Sequence, residues 1–461
     1  MFSVLQVIDY AETVVLVSGG GMFVGTTLLF LLLLSKISRT TQLISSWSPL
    51  KSPHASTPSN LLPLQRKFLP LNITNHEKDK EDNEAVLASI KLRVLQFNML
   101  ADGLSGLRAD LGGFAGVSRE RGEMEWSRRK ELLLHELLQY DADILTLQEV
   151  DHFYDWLQPA MAERGYTAFF AAKPASPCLE VSSNADGCAL FVRSSKIQCR
   201  SVQTLTYAVK SDGKEEDEEG EGGVAGVGAK TGRESTVPLR TQNQVAIIAL
   251  CEILLPPDSS TSKPALLLVA TTHLKASKSL TGERCRAMEM RQLLETVART
   301  RNAISASENG ANIAVLLTGD LNAKPEDSSD YPALAYSATK SFTPLTMRSI
   351  YNDDAPLYLQ SHGEKSALQE EGLYTTWKAR VEAGSGIRKE SRHCIDYIFY
   401  SSEEKKKKKE YRDRTTVETR LRPTALLDVF SKQEVGSSLL PSALYPSDHL
   451  AIVADFLFEV A

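Results

Sequence analysis

Residues 315–322 read Val315-Leu316-Leu317-Thr318-Gly319-Asp320-Leu321-Asn322, an apolar run that ends in a carboxylate and an amide. A short apolar run bounded by turn residues is typical of a buried β-strand. The same arrangement recurs along the chain, since other apolar runs lead into Asn98, Glu149 and His273. We therefore expect a sheet whose strand ends bring polar side chains to one rim.

Two later runs place acids and an imidazole in similar positions. Asp396 stands within one apolar run, and Asp448 with His449 comes directly before the last one. Helical stretches such as Trp126–Gln139 alternate with the strand-like runs. This alternation predicts an α/β or α+β domain.

The residue types in this set suit metal-assisted cleavage of a phosphate ester. Oxygen ligands such as Glu149, Asp320 and Asp448 suit Mg²⁺, which keeps waters and bridges to a substrate phosphate. Asn98 and Asn322 can orient a ligand or a phosphoryl oxygen without adding charge. A histidine made more basic by a buried carboxylate can stabilise charge or transfer a proton. A single Asp after a strand is usually a turn residue, so the prediction depends on the whole set.

Composition limits the class of protein. Lys plus Arg number 52 against 58 Asp plus Glu, and 42% of the 461 residues are hydrophobic, which fits a globular chain. Six acids fall within residues 215–221, so the remainder is balanced in charge. A neutral body disfavours a broad basic surface for nucleic acid. The six cysteines form no C-x-x-C pair, which disfavours a zinc cluster or a disulfide framework.

The N-terminal region contains an uncharged apolar segment. Thr13–Ser35 comprises 23 consecutive uncharged residues, and about 20 suffice to span a bilayer as a helix. Asp9 and Glu12 precede the segment, whereas basic residues follow it from Lys36 onward. We therefore predict a single transmembrane helix, with the bulk of the chain facing the cytosol. A mitochondrial location is the alternative.

The rest of the chain divides by composition. Residues 1–12 are a short leading segment, and residues 36–89 read as a flexible tether because they lack an apolar period. Residues 90–461 are expected to form the folded domain. Within it, the Gly- and Glu-rich insert 209–238 and the Lys-rich stretch 403–410 are predicted to be solvated loops.

Six motifs resemble those of the endonuclease/exonuclease/phosphatase family. They are Gln96-Phe97-Asn98, Leu147-Gln148-Glu149, Thr272-His273, Gly319-Asp320-Leu321-Asn322, Ile395-Asp396-Tyr397 and Ser447-Asp448-His449. Longer runs, including Asp186-Gly187-Cys188-Ala189-Leu190-Phe191 and Tyr374-Thr375-Thr376-Trp377-Lys378, are similar to the branch that contains the carbon-catabolite-repressor type deadenylases. The resemblance covers residues 90–461. It implies a four-layer α/β fold, a two-sheet β-sandwich flanked by helices with the site at one rim.

The resemblance also implies ligands for a metal. Glu149 would be the principal ligand of Mg²⁺, or of Mn²⁺, with Asn98 and Asp448 nearby.

A catalytic group is implied in the same way. Asp320 and Asn322 would position or activate the attacking water, and Asp396 would pair with His449. His273 would contact the scissile phosphate.

The substrate is less sharply implied. The branch includes enzymes that remove the 2′-phosphate of NADP⁺ and NADPH, and others that shorten poly(A) tails. Lys173, Lys275 and Arg380 match positions that resemble contacts to the dinucleotide, whereas Ser277 stands where the pattern has an arginine. We expect an NADP(H) 2′-phosphatase, with a poly(A) exoribonuclease acting on RNA as the alternative. A catalytically silent scaffold is the remaining class, and the sequence does not identify which protein partners the chain has.

Overall fold

Strands dominate the computed structural model of the chain. The structure describes residues 64–71, 88–105, 113–115, 117–118, 120–210, 239–257, 264–308, 311–356, 366–381, 385–401 and 418–460. The strands in this part are β1 (Phe68–Pro70), β2 (Ala88–Asn98), β3 (Ile144–Gln148), β4 (Tyr166–Ala172), β5 (Gly187–Arg193), β6 (Ile197–Lys210), β7 (Leu239–Ile253), β8 (Ala265–His273), β9 (Ala314–Asp320), β10 (Met347–Ser349), β11 (Thr376–Val381), β12 (Arg388–His393), β13 (Asp396–Ser401), β14 (Thr419–Leu427) and β15 (Ile452–Val460).

Two large sheets contain most of these strands. The first has the order β1-β14-β15-β2-β3-β5-β4, and the second has the order β10-β13-β9-β8-β7-β6. Each sheet has one parallel pair near its middle, β2 with β3 and β8 with β9, while the other pairs are antiparallel. β11 and β12 form a separate two-stranded sheet. The parallel pairs matter for the site because the carboxyl ends of parallel neighbours lie at the same edge.

Alternation along the strands separates the two faces of the second sheet. In β7, Val245, Ile247 and Ala249 belong to the core shared with the first sheet. Ala246 and Ile248 pack instead in a second apolar cluster with α3. Because successive side chains point to opposite faces of a strand, this segregation produces a sandwich with a helix on its outer surface.

Helices cover both outer faces. They are α1 (Trp126–Leu138), α2 (Gln158–Ala162), α3 (Leu280–Ser307), α4 (Leu334–Ser341), α5 (Ala367–Glu371) and α6 (Lys432–Val435). In α3, Met290, Leu293, Leu294 and Val297 are fully buried, the spacing of an amphipathic helix. Leu133 of α1 and its neighbours pack in the core that contains the first sheet. The predicted two-sheet sandwich flanked by helices is confirmed.

The predicted start of the domain is wrong. Residues 64–71 belong to the predicted tether, yet β1 pairs with β14 and extends the first sheet. The Arg66 side chain is 1% exposed and forms an ion pair with Glu136 of α1 at 2.8 Å. The folded unit therefore begins ahead of residue 90, and residues 62–461 form one compact unit.

Other predictions fall on residues outside the described ranges. They are the transmembrane helix 13–35, most of the tether, the insert beyond Lys210 and the Lys-rich stretch 403–410. In the described ranges, no helix combines the length and apolar character needed to cross a bilayer.

Candidate active site

The polar strand ends lie together at one rim of the sandwich. Asn98, His273 and Asp320 are the last residues of β2, β8 and β9. Asp396 begins β13 and pairs in register with Asp320. Along its strand, each of these residues is an even number of positions from a side chain that packs between the sheets. Asp320, for example, lies four residues after Leu316 of that core. Strand alternation therefore directs these groups into the gap between the sheets.

Asn98 connects the two sheets at this rim. Its side-chain Nδ2 donates to Glu149 Oε1 at 3.1 Å and to Asp320 Oδ2 at 2.9 Å. Its Oδ1 accepts from the Leu100 backbone N–H at 3.0 Å, which fixes the amide orientation. One neutral side chain thus sets the spacing of two carboxylates.

Buried amides form a layer beneath the carboxylates. Gln148 Nε2 donates to Gln96 Oε1 at 2.9 Å and to Thr271 Oγ1 of the second sheet at 3.1 Å. All three side chains are fully buried. Because a buried polar group is costly without a partner, these bonds favour one alignment of the sheets.

A tight turn after β9 links Asp320 to His273. Asp320 Oδ1 accepts from the Asn322 backbone N–H at 2.8 Å, and Asn322 Nδ2 lies 3.0 Å from His273 Nε2. Gly319 is required here, since a Cβ would lie 2.2 Å from the Thr272 carbonyl oxygen. Burial holds the pKa of His273 well below its usual range, and the charges of Lys173 and His449 lower it further. The imidazole is therefore neutral at pH 7.

Asp396 and His449 form the imidazole–carboxylate pair that the resemblance implies. His449 Nδ1 lies 2.8 Å from Asp396 Oδ2, which also accepts from the Thr375 hydroxyl at 2.7 Å. Burial on its own would lower the pKa of His449, but the carboxylates of Asp396 and Asp320 raise it to about 10. The ring is therefore cationic at neutral pH. Its other nitrogen, Nε2, lies 3.8 Å from Asp320 Oδ2.

Two carboxyl groups at the rim ionise less readily than usual. Burial and the charge of Asp396 raise the pKa of Asp320 to about 7. Burial also raises the pKa of Glu149, although Lys173 acts in the opposite direction. A carboxyl group that titrates near neutrality suits proton transfer.

Asp448 differs from these two groups because it has a cation as a direct partner. Its Oδ2 contacts the Lys378 ammonium. Burial alone would raise the pKa of Asp448, but Lys378 and His449 hold it below its usual range. Thr376 also donates its hydroxyl to the Asp448 carbonyl at 2.7 Å.

The rim fits the divalent cation that the resemblance implies. In the described part of the chain, Glu149 has no ion-pair partner. Ligand atoms of Asp320, Asp396 and His449 lie within 4.8 Å of one another. An oxygen-seeking dication such as Mg²⁺ compensates negative charge gathered in this way. Which residues bind the metal, and which metal it is, stay predictions.

The three predicted substrate-binding cations occupy different environments. Lys173 is 8% exposed and forms an ion pair with Asp186 at 2.6 Å, and its charge also lowers the pKa of Glu149. Lys275 is exposed. Arg380 lies over the Phe114 ring, with 4.1 Å from its guanidinium carbon to the ring centroid. Lys173 therefore neutralises buried carboxylates, and its predicted contact with the substrate stays a prediction.

Sequence reasoning missed several residues of the site, chiefly Lys378 and a group of cations around His393. Burial, together with the charges of Lys324, Lys278 and Lys378, lowers the pKa of His393 to about 4. A signal for Lys378 was present, since it ends the motif Tyr374-Thr375-Thr376-Trp377-Lys378 and alternates with Thr376 and Arg380 along one strand. Lys324 and His393 stand in no motif that reveals their position.

Comparison with known proteins gives consistent relatives. The model of the Endonuclease/Exonuclease/phosphatase family matches residues 95–449. Nocturnin from Rattus norvegicus is 31% identical over 406 residues, which cover 87% of this chain and 74% of that protein. The solved catalytic domain of human nocturnin with bound sulfate is 27% identical, with 86% of this chain and 98% of that one covered and a TM-score of 0.50. Carbon catabolite repressor protein 4 homolog 1 from Arabidopsis thaliana is 24% identical over 422 residues, which cover 86% of this chain and 62% of that protein.

Proposed function

Because the chain belongs to the endonuclease/exonuclease/phosphatase family, we propose that it is a metal-dependent phosphohydrolase that removes the 2′-phosphate of NADP⁺ and NADPH. The family assignment supports hydrolysis of a phosphate ester in general. The nicotinamide dinucleotide as substrate is the finer step, and it depends on the cations beside the carboxylates.

The roles of the acidic groups follow from their environments. Glu149, together with Asn98 and Asp448, would hold Mg²⁺ or Mn²⁺, which supplies positive charge to the phosphate that is cleaved. Asp320, with its pKa near 7, accepts the proton of the attacking water. The cationic His449 stabilises negative charge that develops on the phosphoryl oxygens.

The residues around Asp320 have distinct roles in the reaction. Asn322 orients the water beside Asp320, because its backbone and side chain are already bound to Asp320 and His273. His273 is neutral and acts as a hydrogen-bonding group toward the phosphate rather than as a cation. Asp396 keeps His449 charged throughout the reaction.

The observation that carries the substrate proposal is the position of cations on β11. Thr376, Lys378 and Arg380 alternate along this strand and therefore share a face. Lys378 contacts Asp448, so Arg380 lies on the side of the strand that faces the site. A 2′-phosphomonoester carries close to two negative charges, and charge-assisted donors suit it. The sulfate bound to the related human catalytic domain is a similar tetrahedral dianion.

A poly(A) exoribonuclease is the second candidate. The similarity to the carbon catabolite repressor protein 4 homolog favours it. The balanced charge of the chain outside residues 215–221 offers no extended track for an RNA backbone. A silent scaffold fits poorly with a complete set of carboxylates and imidazoles at the rim.

One assay separates these functions. The full-length protein with Mg²⁺ is given NADPH, NADP⁺ and oligo(A) in parallel, and free phosphate and AMP are measured. Arg380→Ala should lower kcat/KM for NADPH by roughly 10- to 100-fold, since a charge-assisted hydrogen bond contributes about 1.5–3 kcal/mol. Arg164→Ala, which changes an exposed arginine beyond α2, is the control and should match wild type. Efficient release of AMP from oligo(A) with no phosphate from NADPH would reject the proposal.

We also propose that residues 13–35 anchor the protein in a membrane with residues 62–461 on the cytosolic side. The proposal depends on the uncharged segment and on the basic residues that follow it. It makes the sequon Asn72-Ile73-Thr74 a direct test of orientation, since Asn72 should stay unglycosylated on the cytosolic side.

A further inference from the structure

Three charged side chains near the start of α3 face the loop that follows β8. Glu283, Arg286 and Glu289 are spaced three residues apart, which places them along one side of the helix. Each is at most 1% exposed. Their contacts reach the main chain of Lys275.

Both polar groups of the Lys275 backbone are bound by this helix. The Lys275 N–H donates to Glu289 Oε2 at 3.0 Å. The Lys275 carbonyl accepts from Arg286 at 2.9 Å, and the same guanidinium nitrogen donates to the Ser277 carbonyl at 2.5 Å. The path of the chain at Lys275 is thus fixed by two ionic side chains.

The Arg286 side chain is itself held in place by Glu283. Glu283 accepts from Arg286 Nε at 2.8 Å and from the Ala335 backbone N–H of α4 at 2.8 Å. Gly282 allows the loop to approach, because a Cβ there would lie 2.4 Å from the Ser277 carbonyl oxygen. The support therefore extends from the loop through α3 to α4.

On the other side, Lys275 adjoins the active site directly. The Leu274 carbonyl accepts from Asn322 Nδ2 at 3.0 Å, and the Leu274 N–H donates to the Asp320 carbonyl at 3.0 Å. The Lys275 side chain itself is exposed and has no ion-pair partner within the described ranges. A fixed backbone thus presents an exposed cation from the loop that contacts Asp320 and Asn322. Glu289 also feels this cation, because the charge of Lys275 lowers the pKa of that carboxyl group against the effect of burial.

Stability alone gives little reason for this arrangement. Burying ions costs free energy, and well-packed apolar residues often stabilise a core as well as a buried ion pair does. The cost is visible at Glu289, where burial raises the pKa to about 7. A cation that is already in position, however, loses less freedom when it binds an anion.

We propose that Glu289 and Arg286 are positioning residues for Lys275, which fix its backbone so that its ammonium meets an anionic group of the substrate. Neither residue contacts the substrate itself. The inference rests on the proposed function, because the resemblance implies that Lys275 contacts the dinucleotide substrate named there.

A double-mutant cycle tests the inference in the full-length protein with Mg²⁺. Glu289→Ala is compared with its parent in two backgrounds, with Lys275 present and with Lys275→Ala. With Lys275 present, we expect KM for NADPH to rise about 5- to 10-fold while kcat changes less than about twofold. With Lys275→Ala, the same change should alter KM less than about twofold, since no cation is left to position. Equal effects in the two backgrounds would overturn the proposal.

Two further variants separate positioning from general damage. Glu289→Gln keeps an oxygen that accepts from the Lys275 N–H, so it should restore KM to within about twofold of wild type. Glu295→Ala, at an exposed glutamate of the same helix, should match wild type. If Glu289→Ala does not fold, Arg286→Lys takes its place in the cycle, because it keeps a charge beside Glu283 and loses the fork that holds the loop.

Failure of the proposed function would be recognised separately. If wild type leaves NADPH unchanged and degrades oligo(A), the substrate proposal fails and the cycle is measured on oligo(A). Calorimetric titration with inorganic phosphate gives the same cycle without turnover. Glu289→Ala should then lower the affinity for phosphate when Lys275 is present and leave it unchanged in the Lys275→Ala background. If the losses caused by the two substitutions simply add, the inference is wrong.

Discussion

Replacing Arg66 should destabilise the whole folded unit, although it lies in a segment whose composition resembles a linker. Its side chain is 1% exposed, and Glu136 beside it is 4% exposed, with 2.8 Å between the guanidinium and the carboxylate. The guanidinium also donates to the Tyr140 hydroxyl at 3.2 Å and lies over the Phe430 ring, 4.9 Å from its centroid. Arg66→Ala would leave Glu136 buried without a cation.

The size of the effect follows from this burial. Removing one partner of a buried ion pair typically costs about 3–5 kcal/mol. Glu136 would keep the hydroxyl of Tyr445, which donates at 3.0 Å. We therefore expect Arg66→Ala to lower the free energy of unfolding by about 3–5 kcal/mol. Arg66→Ala with Glu136→Gln should recover about 1–2 kcal/mol of it, because no uncompensated charge remains.

Urea unfolding of the full-length protein at pH 7, followed by circular dichroism, measures both variants. Arg422→Ala is the matched control, since Arg422 on β14 pairs with Glu459 but is 51% exposed. An exposed pair contributes about 0–1 kcal/mol. A loss below about 1 kcal/mol for Arg66→Ala, no larger than that of the control, would refute the reasoning.

Four further outcomes are expected. Glu149→Gln should keep the unfolding transition of wild type and lose turnover by orders of magnitude, and more than about a tenth of wild-type kcat would contradict a metal-ligand role. Replacing residues 211–238 by a short Gly/Ser linker should leave kcat within about threefold, because β6 and β7 already pair up to the Lys210–Leu239 register. His393 should protonate near pH 4 when folded but near 6.5 when unfolded, so this histidine costs stability as pH falls through that window. His393→Asn should accordingly show a smaller fall in Tm between pH 7 and pH 5. Asn72 should stay unglycosylated in a eukaryotic host, and a glycan detected there by mass spectrometry would reverse the predicted orientation.

Much of the site was accessible from the sequence because each residue stands at the end of its own strand. Asn98 and Asp320 are 222 residues apart in the chain, yet each follows a local pattern that can be recognised without the other. The resemblance then supplied the pairing of Asp396 with His449, which the structure places 2.8 Å apart. Local periodicity alone could not have supplied it.

The residues that were missed depend on contacts that no local pattern encodes. β1 is a three-residue edge strand that contains a proline, and proline is typical of edges and loops because it lacks the donor N–H. The segment around Arg66 therefore reads as a tether until its contacts with Glu136 are known. Lys378 stands in a motif, but its role could not be predicted, since its partner Asp448 is 70 residues further along the chain.

The position of Asn98 connects the stability of the sandwich to the chemistry at its rim. Its amide joins Glu149 after a strand of the first sheet to Asp320 of the second, directly above the amide layer that aligns the sheets. A relative shift of the sheets would lengthen these bonds before it exposed any apolar core. Because misplacing reacting groups by about 1 Å can cost about 100-fold in rate, activity should respond to changes in sheet packing that global unfolding scarcely registers. Apolar side chains could fill the same space between the sheets and stabilise the sandwich equally well. The role of the polar layer is therefore to set the spacing of the carboxylates rather than to add stability.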